Sequence, residues 1–245
     1  MHTKKLKFDK PFFITVFILT IFGFFIFTSA GMGLLTRGGA SFSSVAFGQI
    51  ALGLIGGLIA FLITSKIKYT FWRKYAFYLF LASIFATILV FIPGIGFAHG
   101  GAKRWIFILG QSIQPSEFLK IGFIIYFATW IASIKDQARS FKNGFVPFII
   151  ILSVVGLVLL NQPDTDTFMV IFAAGIAMFL AGGGKWRYFL FLIISAVIGI
   201  LIIAQFRPYV LSRLTTFINP NFDPQGSSYQ VQQSLIAIGS GGLGG

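Results

Sequence analysis

The chain has 245 residues, of which 56% are hydrophobic and only 10% are charged, and it contains 32 phenylalanines. No water-soluble domain of this size has a core that could bury so many apolar side chains, so the composition excludes a soluble protein and indicates a membrane protein. The net charge of +13 does not indicate nucleic-acid binding, because the basic residues fall between apolar segments, where they set membrane orientation.

Cysteine and histidine usage limits the metal chemistry. There is no cysteine, so a disulfide framework and a thiolate metal site are excluded. Two histidines and six acidic residues leave little for a metal cluster. We therefore expect no cofactor and no metal site, with a bound divalent cation left open.

Seven apolar segments are candidates for membrane-spanning helices, which need about 20 residues because every backbone N–H and C=O must be paired internally in lipid. They cover residues 12–30, 45–65, 75–92, 116–134, 145–160, 167–181 and 188–206. The first is longer than the apolar part of a cleaved signal peptide, so we expect it to be retained. The predicted fold class is all-α, a polytopic membrane protein that associates with the lipid bilayer and not with nucleic acid.

Lysines and arginines in the connections predict the orientation, since positive residues resist translocation. The distribution places the N-terminus in the cytoplasm and residues 207–245 outside, as an outer loop. Within this loop, Tyr229–Ile238 has apolar residues at a spacing that predicts a short amphipathic helix on the membrane. The glycine-rich residues 239–245 carry no closing element, which predicts that the chain is truncated.

Ionisable residues inside a membrane are costly, so each one is a candidate functional residue. Glu117, the only glutamate, and Lys120 stand three residues apart at the start of the fourth span, on one helix face, where they are expected to pair. Two interpretations stay open for this pair. It makes the helix end tolerable in lipid, or it belongs to a functional site.

Residues 100–105 predict an outer turn that carries two cations, Lys103 and Arg104, against the positive-inside trend. Arginine can bind a phosphate with two hydrogen bonds, and Trp105 favours the membrane interface. The turn therefore suits a lipid pyrophosphate at the outer leaflet. The alternative, interfacial anchoring by Arg104 and Trp105, is the interpretation that the turn by itself favours.

Residues 162–166 predict a second outer turn between two spans. Thr165 or Asp166 is expected to cap the helix that follows and to complement its dipole, and capping is the favoured interpretation for Asp166. Two carboxylates in a solvent-facing turn are weak indicators of a cation site or of acid–base chemistry. The role of Asp164 stays open.

Three stretches, in this order and at this spacing, resemble the SEDS family (FtsW, RodA and SpoVE). A basic-basic-Trp turn at 103–105 precedes a Q-P-S-E-x-x-K motif at 114–120. A Q-P-D turn lies at 162–164, although the family has Leu-Gly where this chain has Thr165-Asp166. The third stretch, D-P-x-G-S-x-Y-Q at 223–230, resembles the start of the large outer loop of the family.

The resemblance implies a single SEDS-type membrane domain over 1–245, with the first seven of the ten spans usual for the family, in the bacterial cytoplasmic (inner) membrane. The implied activity is a peptidoglycan glycosyltransferase that polymerises lipid II, the undecaprenyl-pyrophosphate-linked precursor, at the outer face. It would act in cell division or cell-shape maintenance, with a class B penicillin-binding protein as transpeptidase partner. The loop motif leans toward the division and sporulation members. A lipid II flippase and a non-catalytic scaffold stay open as alternatives.

The substrate-binding residues implied by the resemblance are Arg104, Trp105, Gln114, Glu117, Lys120 and Asp164. Arg104 and Lys120 would offset the charge of the departing pyrophosphate, and Glu117 would hold Lys120 in place. Trp105 would form part of the cavity wall. The presumed catalytic aspartate of the family lies in a P-E-x-H-T-D-F segment beyond Gly245, so we expect no catalytic residue in this chain and no activity from the chain alone.

Overall fold

The computed structural model describes residues 9–35, 49–99, 102–108, 111–206, 208–223, 225–226 and 228–241. These residues form apolar helices and one small sheet, and the chain divides into two compact units, Met1–Phe71 and Trp72–Gly245. The prediction of an all-helical polytopic membrane protein is confirmed. The predicted orientation and the predicted single domain stay predictions.

The first unit contains two apolar helical segments. Helix α1 is Lys10–Leu35, and helix α2 is Gly56–Lys66, which follows a π-helical turn at Gln49–Ile55. Asp9 accepts a hydrogen bond from the backbone N–H of Phe12 at 3.1 Å and so caps α1. These segments match the predicted spans at 12–30 and 45–65, although residues 45–48 lie outside the described ranges.

Seven further helices follow along the chain. They are α3 (Tyr69–Ile88, continued by a 3-10 turn at Leu89–Phe91), α4 (Pro115–Ile134), α5 (Val146–Asn161, after a π-helical turn at Phe141–Phe145), α6 (Thr165–Ala181), α7 (Trp186–Phe206), α8 (Pro208–Ile218) and α9 (Tyr229–Gly241). A short 3-10 segment, Lys135–Arg139, follows α4.

Among the described residues, four helical segments are long and apolar enough to cross a membrane: Lys10–Thr28, Tyr69–Phe91, Pro115–Ile134 and Phe141–Asn161. Three shorter apolar helices are Gly53–Lys66, Thr165–Ala181 and Trp186–Gly199. All seven predicted spans therefore fall on apolar helices. The third begins six residues earlier than predicted, because its first turns carry the aromatic and basic residues usual at a membrane interface.

A phenylalanine stack forms the centre of the second unit. The rings of Phe127 and Phe148 have centroids 5.0 Å apart, as do those of Phe148 and Phe179, and all three side chains are buried. A Cβ at Gly175 would approach the rings of Phe123 and Phe148 to 3.1 Å, so glycine leaves the room that the stack occupies. Close packing of this kind holds α4, α5 and α6 together, since lipid supplies no hydrophobic driving force between helices.

A three-stranded antiparallel sheet connects α3 to α4, in the order β1 (Gly96–His99), β2 (Ala102–Ile108), β3 (Gln111–Ile113). The prediction of a turn through residues 103–105 was wrong, since these residues lie in β2. Trp105 to Ile108 are aromatic and β-branched residues that favour strands, and they pair with β1 on one side and β3 on the other. Residues 100–101 lie outside the described ranges.

The segment predicted as an outer loop contains two helices. Helix α9 confirms the helix predicted at 229–238 and ends three residues later. Helix α8 was not predicted, although the apolar residues of 208–218 recur at helical spacing. This omission affects the outcome for Asp166, described below.

Candidate functional site

A buried polar cluster joins β2, the start of α4 and the turn between α5 and α6. It consists of Arg104, Gln114, Ser116 and Asp164 and is called here the Asp164 network. The Asp164 side chain is 1% exposed. Its Oδ2 atom accepts hydrogen bonds from Ser116 Oγ at 2.9 Å and from Gln114 Nε2 at 3.1 Å, and its Oδ1 atom lies 3.6 Å from Arg104 Nη1. A buried carboxylate needs such partners, because desolvation costs several kcal/mol.

The backbone explains why Asp164 faces this cluster. The turn after α5 closes when the Asp164 N–H donates to the Leu159 carbonyl at 2.9 Å, and α6 begins at Thr165 with the Phe168 N–H donating to the Asp164 carbonyl. Asp164 thus occupies the N-cap position, but its side chain makes no capping hydrogen bond. Instead, the carboxylate connects the turn before α6 to β2 and to the start of α4.

Arg104 has no partner residue on β1, because the pairing register of β1 and β2 shifts between Phe97 and Ala98, as at a β-bulge. The Arg104 side chain, 19% exposed, pairs with Asp164 and also donates a hydrogen bond to the Pro163 carbonyl. Its Nε atom is buried and has no hydrogen-bond partner among the described residues. Trp105 pairs in register with Phe97 of β1. Among the described residues, no hydrogen bond joins Trp105 to the Asp164 network.

Gln162 provides a second buried link at the same end of the helices. It is almost fully buried, and its Nε2 atom donates to the carbonyl of Thr87, near the end of α3, at 2.6 Å. Thr87 is also buried, and its hydroxyl donates to the Ser83 carbonyl one turn earlier. The sequence analysis did not assign a role to Gln162, although its place in the Q-P-D turn was a signal for one.

Lys120 and Glu117 form the pair that was predicted from their spacing, with Nζ and Oε2 2.8 Å apart. The Lys120 side chain is 27% exposed, whereas that of Glu117 is more than half exposed. Lys120 follows Ser116 by four residues, so it lies on the same face of α4, one turn from the Asp164 network. Glu117 in the first turn also complements the helix dipole.

Neither Thr165 nor Asp166 caps α6, so the capping prediction was wrong, whereas Asp166 complements the helix dipole from the first turn as predicted. It lies inside the first turn of α6, and its Oδ1 atom accepts a hydrogen bond from Nη1 of Arg213 at 2.6 Å. Both side chains are more than half exposed. The partner lies on α8, the helix that the sequence analysis did not predict.

Potential metal ligands are dispersed among the described residues. In the part of the chain that the structure describes, no three histidine, cysteine, aspartate or glutamate residues come together as metal ligands.

The comparisons with known proteins agree with the motifs of the site. Residues 9–245 match the family of cell cycle proteins FtsW, RodA and SpoVE. Over 187 residues, the chain is 37% identical to a probable peptidoglycan glycosyltransferase FtsW of Geobacter sp. and 35% identical to stage V sporulation protein E of Bacillus subtilis; each match covers 76% of this chain and 51% of the relative. The chain thus spans about half the length of these curated relatives.

Two solved structures are similar in fold. One comes from work on the structural coordination of polymerization and crosslinking by a peptidoglycan synthase complex, with a TM-score of 0.65, 25% identity, and coverage of 91% of this chain and 66% of the other. The second is the crystal structure of the rod shape determining protein RodA of Thermus thermophilus, with a TM-score of 0.55, 23% identity, and coverage of 73% and 57%.

Proposed function

Because the chain belongs to the FtsW/RodA/SpoVE family of cell cycle proteins, we propose that it acts as a peptidoglycan glycosyltransferase. The proposed substrate is lipid II, polymerised at the outer face of the bacterial cytoplasmic membrane during cell division or cell-shape maintenance. The proposed partner is a class B penicillin-binding protein that crosslinks the product. This partner is supported by the similarity to a synthase complex described as coordinating polymerization and crosslinking.

The observation that carries the proposal is the Asp164 network with Lys120 one helical turn away. Two segments whose motifs resemble the SEDS family, distant in sequence, meet here through Asp164, Ser116 and Gln114. They place two cations, Arg104 and Lys120, at one end of the helical bundle. A pyrophosphate-linked sugar is a substrate that such an arrangement of charges suits.

The two cations differ in how their charge is used. Arg104 is paired with a buried carboxylate and also donates to the Pro163 carbonyl, so we assign it a positioning role that fixes β2 against the turn before α6. The partner of Lys120 is the more exposed Glu117, a contact that solvent weakens. Lys120 is therefore the proposed group that stabilises the charge of the departing pyrophosphate.

We assign no general base among the carboxylates of this site. Asp164 is occupied by Ser116, Gln114 and Arg104, and Glu117 is paired with Lys120. In this proposal, Lys120 stabilises the charge of the leaving group. Activation of the incoming hydroxyl is left to residues outside this network.

The test is polymerisation of lipid II by the purified full-length protein together with its transpeptidase partner. Lys120→Ala is expected to lower the rate about 10²- to 10³-fold, as removal of one charge-stabilising group does in other enzymes. Membrane insertion, followed by fractionation, should be unchanged. The matched control is Lys142→Ala, which removes a lysine from the π-helical turn before α5 and should leave the rate unchanged. If Lys120→Ala polymerises lipid II at the normal rate, Lys120 does not stabilise the departing pyrophosphate.

The same assay separates the alternative functions. If labelled lipid II crosses the vesicle membrane without forming polymer, the protein is a flippase and the enzyme proposal fails. If neither polymer nor transport is seen while the partner remains bound, the protein is a scaffold. Polymer formed from lipid II supplied on one side supports the glycosyltransferase.

A further inference from the structure

An apolar groove runs between α6, α7 and α8, and no residue of the Asp164 network lines it. Its volume is about 310 Å³, at the lower end of the range for ligand pockets. Its walls are mainly apolar and include Met169 and Phe172 of α6, Gly199 of α7 and Leu214 of α8. We call this cavity the α6–α8 groove.

The rim of the groove carries two opposite charges. Asp166 and Arg213 both line the groove, and they form the ion pair of 2.6 Å that joins α6 to α8. Each side chain is more than half exposed. Ionisable groups at the end of an apolar membrane helix belong at the water interface, because their cost rises steeply in the hydrocarbon region. We therefore expect the rim to lie at headgroup level.

The apolar part of the groove extends from this rim along α6. Phe172 follows Asp166 by six residues, which is about 9 Å along the helix. The groove thus combines a charged opening at the interface with an apolar channel that leads toward the hydrocarbon region. This is the arrangement that a lipid needs for its headgroup and one of its chains.

We propose that the α6–α8 groove binds one zwitterionic phospholipid, with an acyl chain in the groove and the headgroup at the ion pair. The phosphate would contact the Arg213 guanidinium, which suits phosphate geometry, and the ammonium would contact the Asp166 carboxylate. An anionic headgroup would match only the arginine and would be repelled by the aspartate. Neighbouring charges of opposite sign are what favours a zwitterionic lipid over an anionic one.

Gly199 offers a direct way to close the groove. A Cβ added at this position would meet no atom within 4 Å, so we expect Gly199→Leu to be accommodated and to fill part of the groove. Gly23 of α1 is a matched control, because its added Cβ also meets no atom within 4 Å and Gly23 does not line the groove. Gly199→Leu and Gly23→Leu thus make the same change on two apolar helices.

The experiment measures lipids retained by the whole protein. The protein is placed in nanodiscs of equal amounts of phosphatidylethanolamine and phosphatidylglycerol with identical chains, and bound lipids are identified by native mass spectrometry. The unmodified protein and Gly23→Leu should retain phosphatidylethanolamine about two- to fivefold more than phosphatidylglycerol, as expected of an exposed charge contact. Gly199→Leu should retain neither lipid. Equal retention by the two leucine variants would overturn the proposal.

A second variant tests the headgroup and keeps the proposal falsifiable if Gly199→Leu fails to fold. Asp166→Asn should still retain a lipid but lose the preference for phosphatidylethanolamine, since only Arg213 then carries charge at the rim. An unchanged preference would contradict the assignment.

Undecaprenyl phosphate is added as a competitor in a separate experiment. If it displaces phosphatidylethanolamine at one tenth of the concentration, the groove binds an isoprenoid chain and the proposal is overturned.

Discussion

Asp164 and Asp166 are separated by one residue, yet their carboxylates lie in opposite environments. Asp164 is 1% exposed, accepts a hydrogen bond from Ser116 and lies beside Arg104, whereas Asp166 is 57% exposed and pairs with Arg213. A buried pair that loses one partner leaves an uncompensated charge, whereas an exposed pair contributes about 0–1 kcal/mol. The comparison predicts that folding stability depends more on the buried Asp164 than on the exposed Asp166, although both residues are aspartates.

The largest expected effect follows from Asp164→Ala, which removes the carboxylate partner of Arg104 and leaves the buried Ser116 hydroxyl without its acceptor. We expect a loss of about 3–5 kcal/mol of stability. The measurement is the thermal unfolding midpoint of the protein in detergent, with Asp166→Ala measured beside it. Equal midpoints for the two alanine variants would contradict the comparison.

Ser116→Ala should have the next largest effect, because it removes one hydrogen bond to the buried carboxylate and keeps the Arg104 contact. A bond to a charged group contributes about 1.5–3 kcal/mol. The control on the same helix is Ser133→Ala, since Ser133 donates only to the Trp130 carbonyl of its own helix and is exposed. If both serine variants unfold at the same temperature, the hydrogen bond to Asp164 contributes no net stability.

Gln162→Leu tests the link between the α5–α6 turn and α3. The change keeps the side-chain volume but removes the 2.6 Å hydrogen bond to the Thr87 carbonyl, so we expect a loss of about 1 kcal/mol. Asn161→Leu is the neighbouring control, because the Asn161 amide donates only within α5, to the Leu157 carbonyl. Denaturant titration of both variants measures the difference, and a larger loss for Asn161→Leu would oppose the assignment.

The smallest effect is expected for the exposed pair. Asp166→Ala, Arg213→Ala and the double variant form a double-mutant cycle whose coupling energy should be about 0.2–1 kcal/mol. The coupling should fall at high salt, because exposed charges are screened. A coupling energy above that range, or one that salt does not change, would mean that the Asp166 pair behaves as a buried ion pair, like that of Asp164.

The helices could be predicted from the sequence because their signals are local. A run of apolar residues long enough to cross lipid is sufficient to predict α1, and a spacing of three residues is sufficient to predict the pair of Glu117 and Lys120. Helix α9 was found for the same reason, from the spacing of its apolar residues. These features involve only residues within one or a few turns of each other.

The Asp164 network could not be predicted, because its contacts are distant in sequence. Ser116 and Gln114 precede Asp164 by 48 and 50 residues, and only the packing of helices brings them together. The failure at Asp166 has the same origin, since its partner Arg213 follows it by 47 residues. Strand β2 was missed because its basic residues Lys103 and Arg104 were interpreted as part of a turn, and its pairing with β1 and β3 involves residues outside the strand itself.

The positions of these partners along the chain also have a consequence for synthesis of the protein. Arg104, Gln114 and Ser116 all precede Asp164 in the chain, so they have already been synthesised when Asp164 leaves the ribosome. Asp166 has to wait for Arg213, which at about 5–20 residues per second arrives roughly 2–10 s later. The partners of the buried Asp164 carboxylate are therefore synthesised before it. Asp166, whose partner Arg213 is synthesised later, is the carboxylate that remains exposed to water.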